Sequence, residues 1–150
     1  MTSTELILEE AEAQCQRRGV RLTDKRKQIF SRLITSGKAL SAYELVDYYH
    51  DEYGENIPAM SVYRILEFLE NENLVHKLSS SKKYIACSHI DCDHAHQTPQ
   101  FLICQKCSRV KEVAINPSFF DSLKKDIDTS GFQLLNTQIE LNCICQSCAS

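Results

Sequence analysis

The spacing of apolar residues over the first seventy positions predicts a series of short helices. Apolar side chains recur at helical spacing in an opening segment that ends at Gly19, and again in a segment that ends at Gly37. Ser41 followed three residues later by Glu44 is a capping-box pattern, which predicts the start of a third helix. Pro58 predicts the start of a fourth, because its fixed backbone angle suits a first helical turn.

The fourth predicted helix has two distinct faces, and a change of period follows it. Its predicted buried stripe is Val62, Ile65, Leu66, Phe68 and Leu69, and its predicted outer face is Ser61, Tyr63, Arg64 and Glu67. Residues 74–78 and 83–87 then alternate with a period of two, which predicts two strands joined by a polar turn. Closely linked helices followed by a hairpin indicate a winged helix-turn-helix.

The exposed pair Tyr63 and Arg64 suits the helix that such a fold inserts into the major groove of DNA. An arginine can bond bidentately to a guanine edge, and a tyrosine ring can contact a thymine methyl group or a phosphate. The alternative is an ordinary amphipathic helix whose surface residues have no role. The helix pattern alone leaves both interpretations open.

After residue 87 the amino-acid composition of the sequence changes. Residues 88–100 are short of large apolar side chains and contain several potential ligands, namely His89, Cys92, His94 and His96. We interpret this segment as a hinge between a DNA-binding domain at 1–87 and a second domain at 101–150. The second domain is predicted to contain strands at 101–104 and 109–115, a helix from Asn116-Pro117 to near Gly131, and a long strand at 132–143. The predicted fold class is therefore α+β, with a small α/β domain following a winged helix.

Two Cys-x-x-Cys pairs, Cys104/Cys107 and Cys145/Cys148, mark the second domain. Four thiolates satisfy a tetrahedral Zn²⁺, and a gap of two residues lets a tight turn aim both sulfurs of a pair at one ion. The alternatives are a redox dithiol or four unrelated buried cysteines. A site of this kind stabilises a fold and performs no chemistry of its own, so the function must lie elsewhere.

The charge distribution is segregated along the chain. The formal net charge of -3 argues weakly against a nucleic-acid partner, but it is an average. Between positions 17 and 38 a single acid, Asp24, stands among eight basic residues, which are Arg17, Arg18, Arg21, Lys25, Arg26, Lys27, Arg32 and Lys38. Such a cluster could form a phosphate-binding face. The alternative is a solvated helix surface.

The sequence also indicates several absences. Its first residues have no basic start and no apolar run, and no later segment is long enough to span a bilayer, so we expect a cytoplasmic protein without a membrane partner. The eight cysteines are then expected to be thiols and metal ligands. No triad, phosphate-binding loop or zincin motif occurs, so we expect neither enzyme activity nor a small-molecule substrate. A competing interpretation is a zinc-ribbon thiol enzyme that exchanges disulfides at Cys143, Cys145 and Cys148.

Five segments together resemble the ferric uptake regulator superfamily over nearly the whole chain. They are RLTDKR from Arg21, SAYEL from Ser41, SVYRILEFL from Ser61, LVHK from Leu74 and CQKCSRVKE from Cys104. Among the branches of the superfamily, the chain is most similar to the zinc uptake regulators. Cys87 ends the second wing strand, and a soft thiolate beside imidazole favours zinc over Fe(II).

The resemblance implies two zinc ions per chain, one structural at the four paired cysteines and one regulatory. The implied regulatory ligands are His76, Cys87, His96 and Glu112. His94 is the alternative to His96 as the hinge ligand, and His89, Cys92 and His94 could form a further weak site.

The resemblance also implies a function and a partner. It indicates a zinc-responsive repressor that binds operator DNA as a homodimer, joined through its C-terminal domains, and shuts off zinc-uptake genes. The implied DNA-contacting residues are Tyr63, Arg64, Ser61, Tyr43 and Arg21. An iron- or peroxide-responsive relative is the alternative within the superfamily, and the metal selectivity of the regulatory site would separate the two.

Overall fold

The computed structural model describes residues 2–87, 99–135 and 138–149. The chain divides into two compact units, Met1–Cys92 and Asp93–Ser150. The N-terminal unit contains helices α1 (Ser3–Arg17), α2 (Asp24–Ser36), α3 (Ala42–Tyr53) and α4 (Ala59–Asn71), then strands β1 (Val75–Leu78) and β2 (Lys83–Ala86). The C-terminal unit contains β3 (Pro99–Cys104), β4 (Val110–Ala114), α5 (Pro117–Thr129), β5 (Ile139–Cys143) and α6 (Gln146–Ala149). The fold class is α+β, as the sequence predicts. His89, Cys92, His94 and His96, and most of the predicted hinge, lie outside the described residues.

The capping signals of the sequence place the helix ends correctly. The Ser41 hydroxyl accepts the N–H of Glu44 at 3.2 Å, and the Glu44 carboxylate accepts the N–H of Ser41 at 3.2 Å, so α3 begins with the expected capping box. Gly37 ends α2 in the left-handed conformation at φ 62, a geometry that costs glycine little. Pro58 lies at the N-cap of α4, one position before the first helical residue.

A single apolar core holds the N-terminal unit together. The predicted stripe of α4 packs into it through Val62, Ile65, Leu66 and Leu69, all of them buried. Phe68 is only partly buried, and the Arg26 guanidinium stacks on its ring with 3.7 Å between the guanidinium carbon and the ring centroid. The face of α4 opposite this buried stripe is exposed to solvent.

Strands β1 and β2 form the predicted antiparallel hairpin, the wing, which is anchored to the helices by a backbone bridge. Val75 pairs with Ala86 and Leu78 with Lys83. The backbone of Tyr84 exchanges hydrogen bonds with Leu40, just before α3, at 2.8 and 2.9 Å. These contacts fix the wing against the link between α2 and α3.

In the C-terminal unit, β4, β3 and β5 form a sheet in that order. Strand β3 pairs antiparallel with β4 and parallel with β5. The predicted long strand at 132–143 was wrong, because β5 covers only Ile139–Cys143. Phe132 and Leu135, which fall in the first half of the predicted strand, are 74% and 90% exposed and lie outside any regular element. The short helix α6 was not predicted.

The C-terminal unit has little core of its own. Among its described residues only Phe101 and Cys104 are buried, and α5 buries none. Phe119 on α5 is 61% exposed. No helix in the described part of the chain is both long and apolar enough to cross a membrane.

The end of α4 is tied to α1 by a small polar cluster. The Arg18 Nε lies 2.8 Å from a carboxylate oxygen of Glu72, whose side chain is 10% exposed. The Gln14 side-chain amide donates to the Glu72 carbonyl at 2.7 Å, and Arg18 Nη2 donates to the Asn71 carbonyl at 3.4 Å. The cluster satisfies carbonyl groups at the C-terminal end of α4, which the helix itself leaves without partners.

We expect Arg18→Ala to lower the free energy of unfolding by about 1–2 kcal/mol, because it leaves a mostly buried carboxylate without its cation. Urea unfolding of the zinc-saturated protein, followed by circular dichroism, measures the change. The control is Arg17→Ala, an exposed neighbour whose loss should change stability by less than about 0.5 kcal/mol. Equal effects of the two substitutions would contradict a role for the cluster.

Candidate metal centres and nucleic-acid interface

The two Cys-x-x-Cys pairs converge within the C-terminal unit. Cys104 ends β3, Cys107 lies in the following turn, Cys145 precedes α6 and Cys148 lies in it, and their four sulfur atoms all lie within 4.8 Å of one another. The Sγ atoms of Cys107 and Cys145 are 3.8 Å apart. A tetrahedral zinc with bonds of about 2.3 Å separates its sulfur ligands by about 3.8 Å. The donor set and its spacing therefore fit a tetrahedral zinc ion.

The backbone of two neighbouring strands builds this cluster. Parallel pairing of β3 with β5 places Cys104 beside Cys143, and the Gln105 N–H donates to the Cys143 carbonyl at 2.9 Å. The Ser108 N–H donates to the Cys104 carbonyl at 3.1 Å and closes the turn that carries Cys107, with Ser108 in the left-handed region at φ 65. The first turn of α6 then brings Cys148 back towards Cys145.

Electrostatics within the cluster favours a bound cation. Backbone N–H groups of Cys107, Cys145 and Lys106 donate to the Cys104 sulfur and lower the pKa of this thiol to about 6. Donation to the Cys145 sulfur, together with burial and the other cysteines, raises the pKa of Cys148 to about 12. The first thiol of the cluster is thus easily deprotonated, whereas deprotonation of all four is opposed. A divalent cation removes that conflict, because it offsets the repulsion among the thiolates.

A second pair of metal-ligand side chains lies on the wing. His76 is on β1 and Cys87 directly follows β2, and their ligand atoms lie within 4.8 Å of each other. The Cys87 N–H donates to the Leu74 carbonyl at 2.8 Å, which continues the hairpin ladder and fixes the position of Cys87. Cys87 is 4% exposed and His76 is half-buried. Thiolate and imidazole together are suitable zinc ligands.

The other predicted regulatory ligands are not part of the wing. Glu112 lies on β4 of the C-terminal unit, where it pairs in register with Phe101, and it is half-buried. The hinge candidates His96 and His94 lie outside the described residues, as do His89 and Cys92. The regulatory ligand set stays a prediction.

Most of the proposed DNA-contacting residues are exposed on the helical unit. Tyr63 and Arg64 are exposed on α4, and Tyr43, at the start of α3, is 65% exposed. The rings of Tyr43 and Tyr63 meet edge to face with centroids 6.4 Å apart. Ser61 is half-buried, although the sequence predicted it to be exposed, and Arg21 is exposed.

The eight basic residues between positions 17 and 38 differ in their contacts within the unit. Four of them contact other side chains of the same unit: Arg18 pairs with Glu72, Lys27 with Glu12, Arg26 stacks on Phe68 and Arg32 on Tyr48. The other four, Arg17, Arg21, Lys25 and Lys38, are exposed.

The backbone donors of the cysteine cluster were not predicted from the sequence. The N–H groups of Lys106, Cys107 and Cys145 stabilise the Cys104 thiolate, yet a backbone group has no residue signature. The signal that could have found them is the two-residue gap itself, because a turn that aims two sulfurs at one point also aims the N–H groups between them.

Comparison with known proteins places these features in a family. The model of the ferric uptake regulator family matches residues 17–142. The chain belongs to this family. The zinc uptake regulation protein of Escherichia coli (strain K12) is 33% identical over 147 residues, which cover 98% of this chain and 84% of that protein. The ferric uptake regulation protein of Helicobacter pylori is 26% identical over 151 residues, which cover 99% and 95%.

The fold agrees with the family. A solved zinc uptake regulator complexed with zinc and DNA superimposes on this chain with a TM-score of 0.85 at 31% sequence identity, covering 99% of this chain and 97% of that one. The predicted winged helix-turn-helix followed by a small α/β domain is thereby confirmed.

We expect Cys107→Ser to abolish tight zinc binding at the cysteine cluster and to unfold the C-terminal unit or leave the protein monomeric, because metal binding at such a site contributes folding free energy. Zinc content per chain, thermal melting and light scattering measure these changes. Cys143→Ser is the matched control, since this thiol lies beside the cluster but outside it. A native melting curve with retained zinc in Cys107→Ser would show that the cluster is not structural.

Proposed function

We propose that this protein is a zinc-responsive transcriptional repressor that binds operator DNA as a homodimer when loaded with zinc and represses zinc-uptake genes. Its family consists of regulators and not enzymes, and a relative with 33% identity over nearly the whole chain regulates zinc uptake. The observation that carries the choice of metal is the proximity of a thiol, Cys87, to the imidazole of His76 on the wing.

The donor chemistry supports zinc over iron. Cys87 supplies a soft sulfur ligand and His76 supplies a nitrogen ligand. A thiolate beside an imidazole favours zinc over Fe(II). The identity to the zinc-regulating relative, 33%, is also higher than the 26% identity to the iron-regulating one. The donor chemistry and the sequence identities both favour zinc.

We propose two zinc ions per chain with different roles. The structural ion is held by Cys104, Cys107, Cys145 and Cys148. The regulatory ion is held by His76, Cys87, Glu112 and the hinge residue His96, with His94 as the alternative. Because the regulatory ligands come from the DNA-binding domain at 1–87, the hinge at 88–100 and the domain at 101–150, bound zinc supplies a crosslink among all three. A coupling of about 1–3 kcal/mol would change operator affinity by about 5- to 150-fold.

Dimerisation through the C-terminal unit is supported by its uncovered apolar surface. Phe119, Phe132 and Leu135 are each more than half exposed, and α5 buries no residue although one of its faces is apolar. Exposed apolar groups of this kind mark interaction surfaces. A second copy related by twofold symmetry would cover them and would present two recognition helices to successive turns of the major groove.

The DNA interface is assigned to the outer face of α4 and its surroundings. Arg64 is proposed to read a guanine edge, and Tyr63, held edge to face against Tyr43, to contact a thymine methyl group or a phosphate. Ser61 and Arg21 complete the set. Ser61 is half-buried, so its part is confined to its exposed atoms.

We expect Arg64→Ala to weaken binding to a specific operator by about 1–3 kcal/mol and to relax discrimination at one base pair, because it removes a bidentate hydrogen-bonding group from a guanine edge. Titrations of zinc-loaded protein with operator and with random duplex measure both effects. Arg64→Lys keeps the charge but not the planar fork, so it should retain random-duplex affinity and still lose discrimination. Unchanged discrimination in Arg64→Ala would remove Arg64 from the interface.

We expect Cys87→Ser to abolish zinc-dependent DNA binding while leaving a folded dimer, because it removes one regulatory ligand and leaves the cysteine cluster intact. Elemental analysis before and after a brief chelator treatment should find two zincs per chain in the wild type, one of them readily stripped, and only the resistant one in Cys87→Ser. Cys15→Ala is the control, since Cys15 lies in the helical core apart from both clusters.

Two results would change the proposed role of Cys87 or the proposed regulatory metal. Loss of folding in Cys87→Ser would make Cys87 structural rather than regulatory. Labile iron beside a resistant zinc in the wild type, purified from medium containing both metals, would identify an iron-sensing relative instead.

A further inference from the structure

The N-terminal end of α4 carries an unusual exposed apolar residue. Met60 is 63% exposed, more than Tyr63 at 39%. Residues three and four positions apart lie on the same face of a helix, so Met60, Tyr63 and Arg64 form one continuous strip opposite the buried stripe. Among the described residues, Met60 is not one of those that form or pack against the apolar core of this unit.

Several exposed apolar or aromatic residues of this unit lie at the N-terminal ends of α3 and α4. Its exposed large apolar or aromatic residues, within the described range, are Leu6, Tyr43, Tyr53, Met60 and Tyr63. Three of them, Tyr43, Met60 and Tyr63, lie at the N-terminal ends of α3 and α4, where the two tyrosine rings are in contact. This concentration indicates a binding surface rather than scattered surface residues.

Charge decides which end of the strip approaches DNA. The first two turns of α4 contain no acidic residue, whereas its second half exposes Glu67 and Glu70. Carboxylates are repelled by the phosphate backbone, so the end that carries Met60 is the end that can approach the base edges. In helix-turn-helix proteins the N-terminal residues of the recognition helix make the base contacts.

We propose that Met60 is a specificity-determining residue whose side chain contacts the 5-methyl group of a thymine in the operator; this inference rests on the proposed function. The thymine methyl is the apolar group that a base pair presents in the major groove. An unbranched, polarizable thioether adapts to such a group and offers little hydrogen bonding to other base edges. Met60 therefore adds a preference for thymine beside the guanine contact of Arg64.

The test removes the thymine methyl group and the Met60 side chain separately. A duplex selected from a random pool by the zinc-loaded wild type is remade with deoxyuridine in place of each thymine in turn, which deletes one methyl group. At one position per half-site we expect wild-type affinity to fall about fourfold for each methyl group that is deleted. Met60→Ala should weaken binding to the unmodified duplex by a similar factor and should no longer respond to deoxyuridine at that position. Met60→Leu should keep part of the response, because it keeps an apolar side chain.

The control is Leu6→Ala, which removes another exposed apolar side chain, on α1, and should leave every deoxyuridine response unchanged. If Met60→Ala keeps the wild-type response at every thymine, the inference is overturned while the repressor assignment stands. If the wild type selects no sequence in a zinc-dependent way, the proposed function itself fails, and the role of Met60 fails with it.

Discussion

The fold of the C-terminal unit depends on interactions other than a hydrophobic core. Within its described residues only Phe101 and Cys104 are buried. Small units with so little buried apolar surface require a metal or a partner chain to fold. The cysteine cluster meets the first need, because it joins the end of β3, the turn after it and α6 in one site. The exposed apolar surface that includes Phe119 and Leu135 meets the second if another copy covers it.

The N-terminal unit is stabilised in a different way. It has a full apolar core, and its polar side chains add contacts that fasten α4 to its neighbours. The pair of Arg18 and Glu72 fastens the end of α4 to α1, and the Arg26 guanidinium covers Phe68 on the flank of the same helix.

Local rules predicted most of the fold, and their failures have physical causes. Capping pairs such as Ser41 and Glu44 act within one helical turn, so the helix ends could be predicted from sequence. The strand predicted from residue 132 onwards failed because apolar side chains do not specify a strand unless a neighbour is available to pair with it. The four paired cysteines were predictable as a cluster because their spacing encodes the turn. The hydrogen bonds that tune Cys104 were not, because they come from the backbone.

The difference between a fixed and an exchangeable metal can be argued from where the ligands lie. The four cysteines lie on short segments of a unit that has almost no other core among its described residues, so we expect a metal bound there to contribute directly to folding. His76 and Cys87 are instead positioned by a hairpin that the helical core and the Leu40–Tyr84 bridge already support. We expect that hairpin to stay folded whether or not a metal is bound. On the proposed two-zinc assignment, binding free energy at the wing is then available for a change of conformation, which is what a sensor requires.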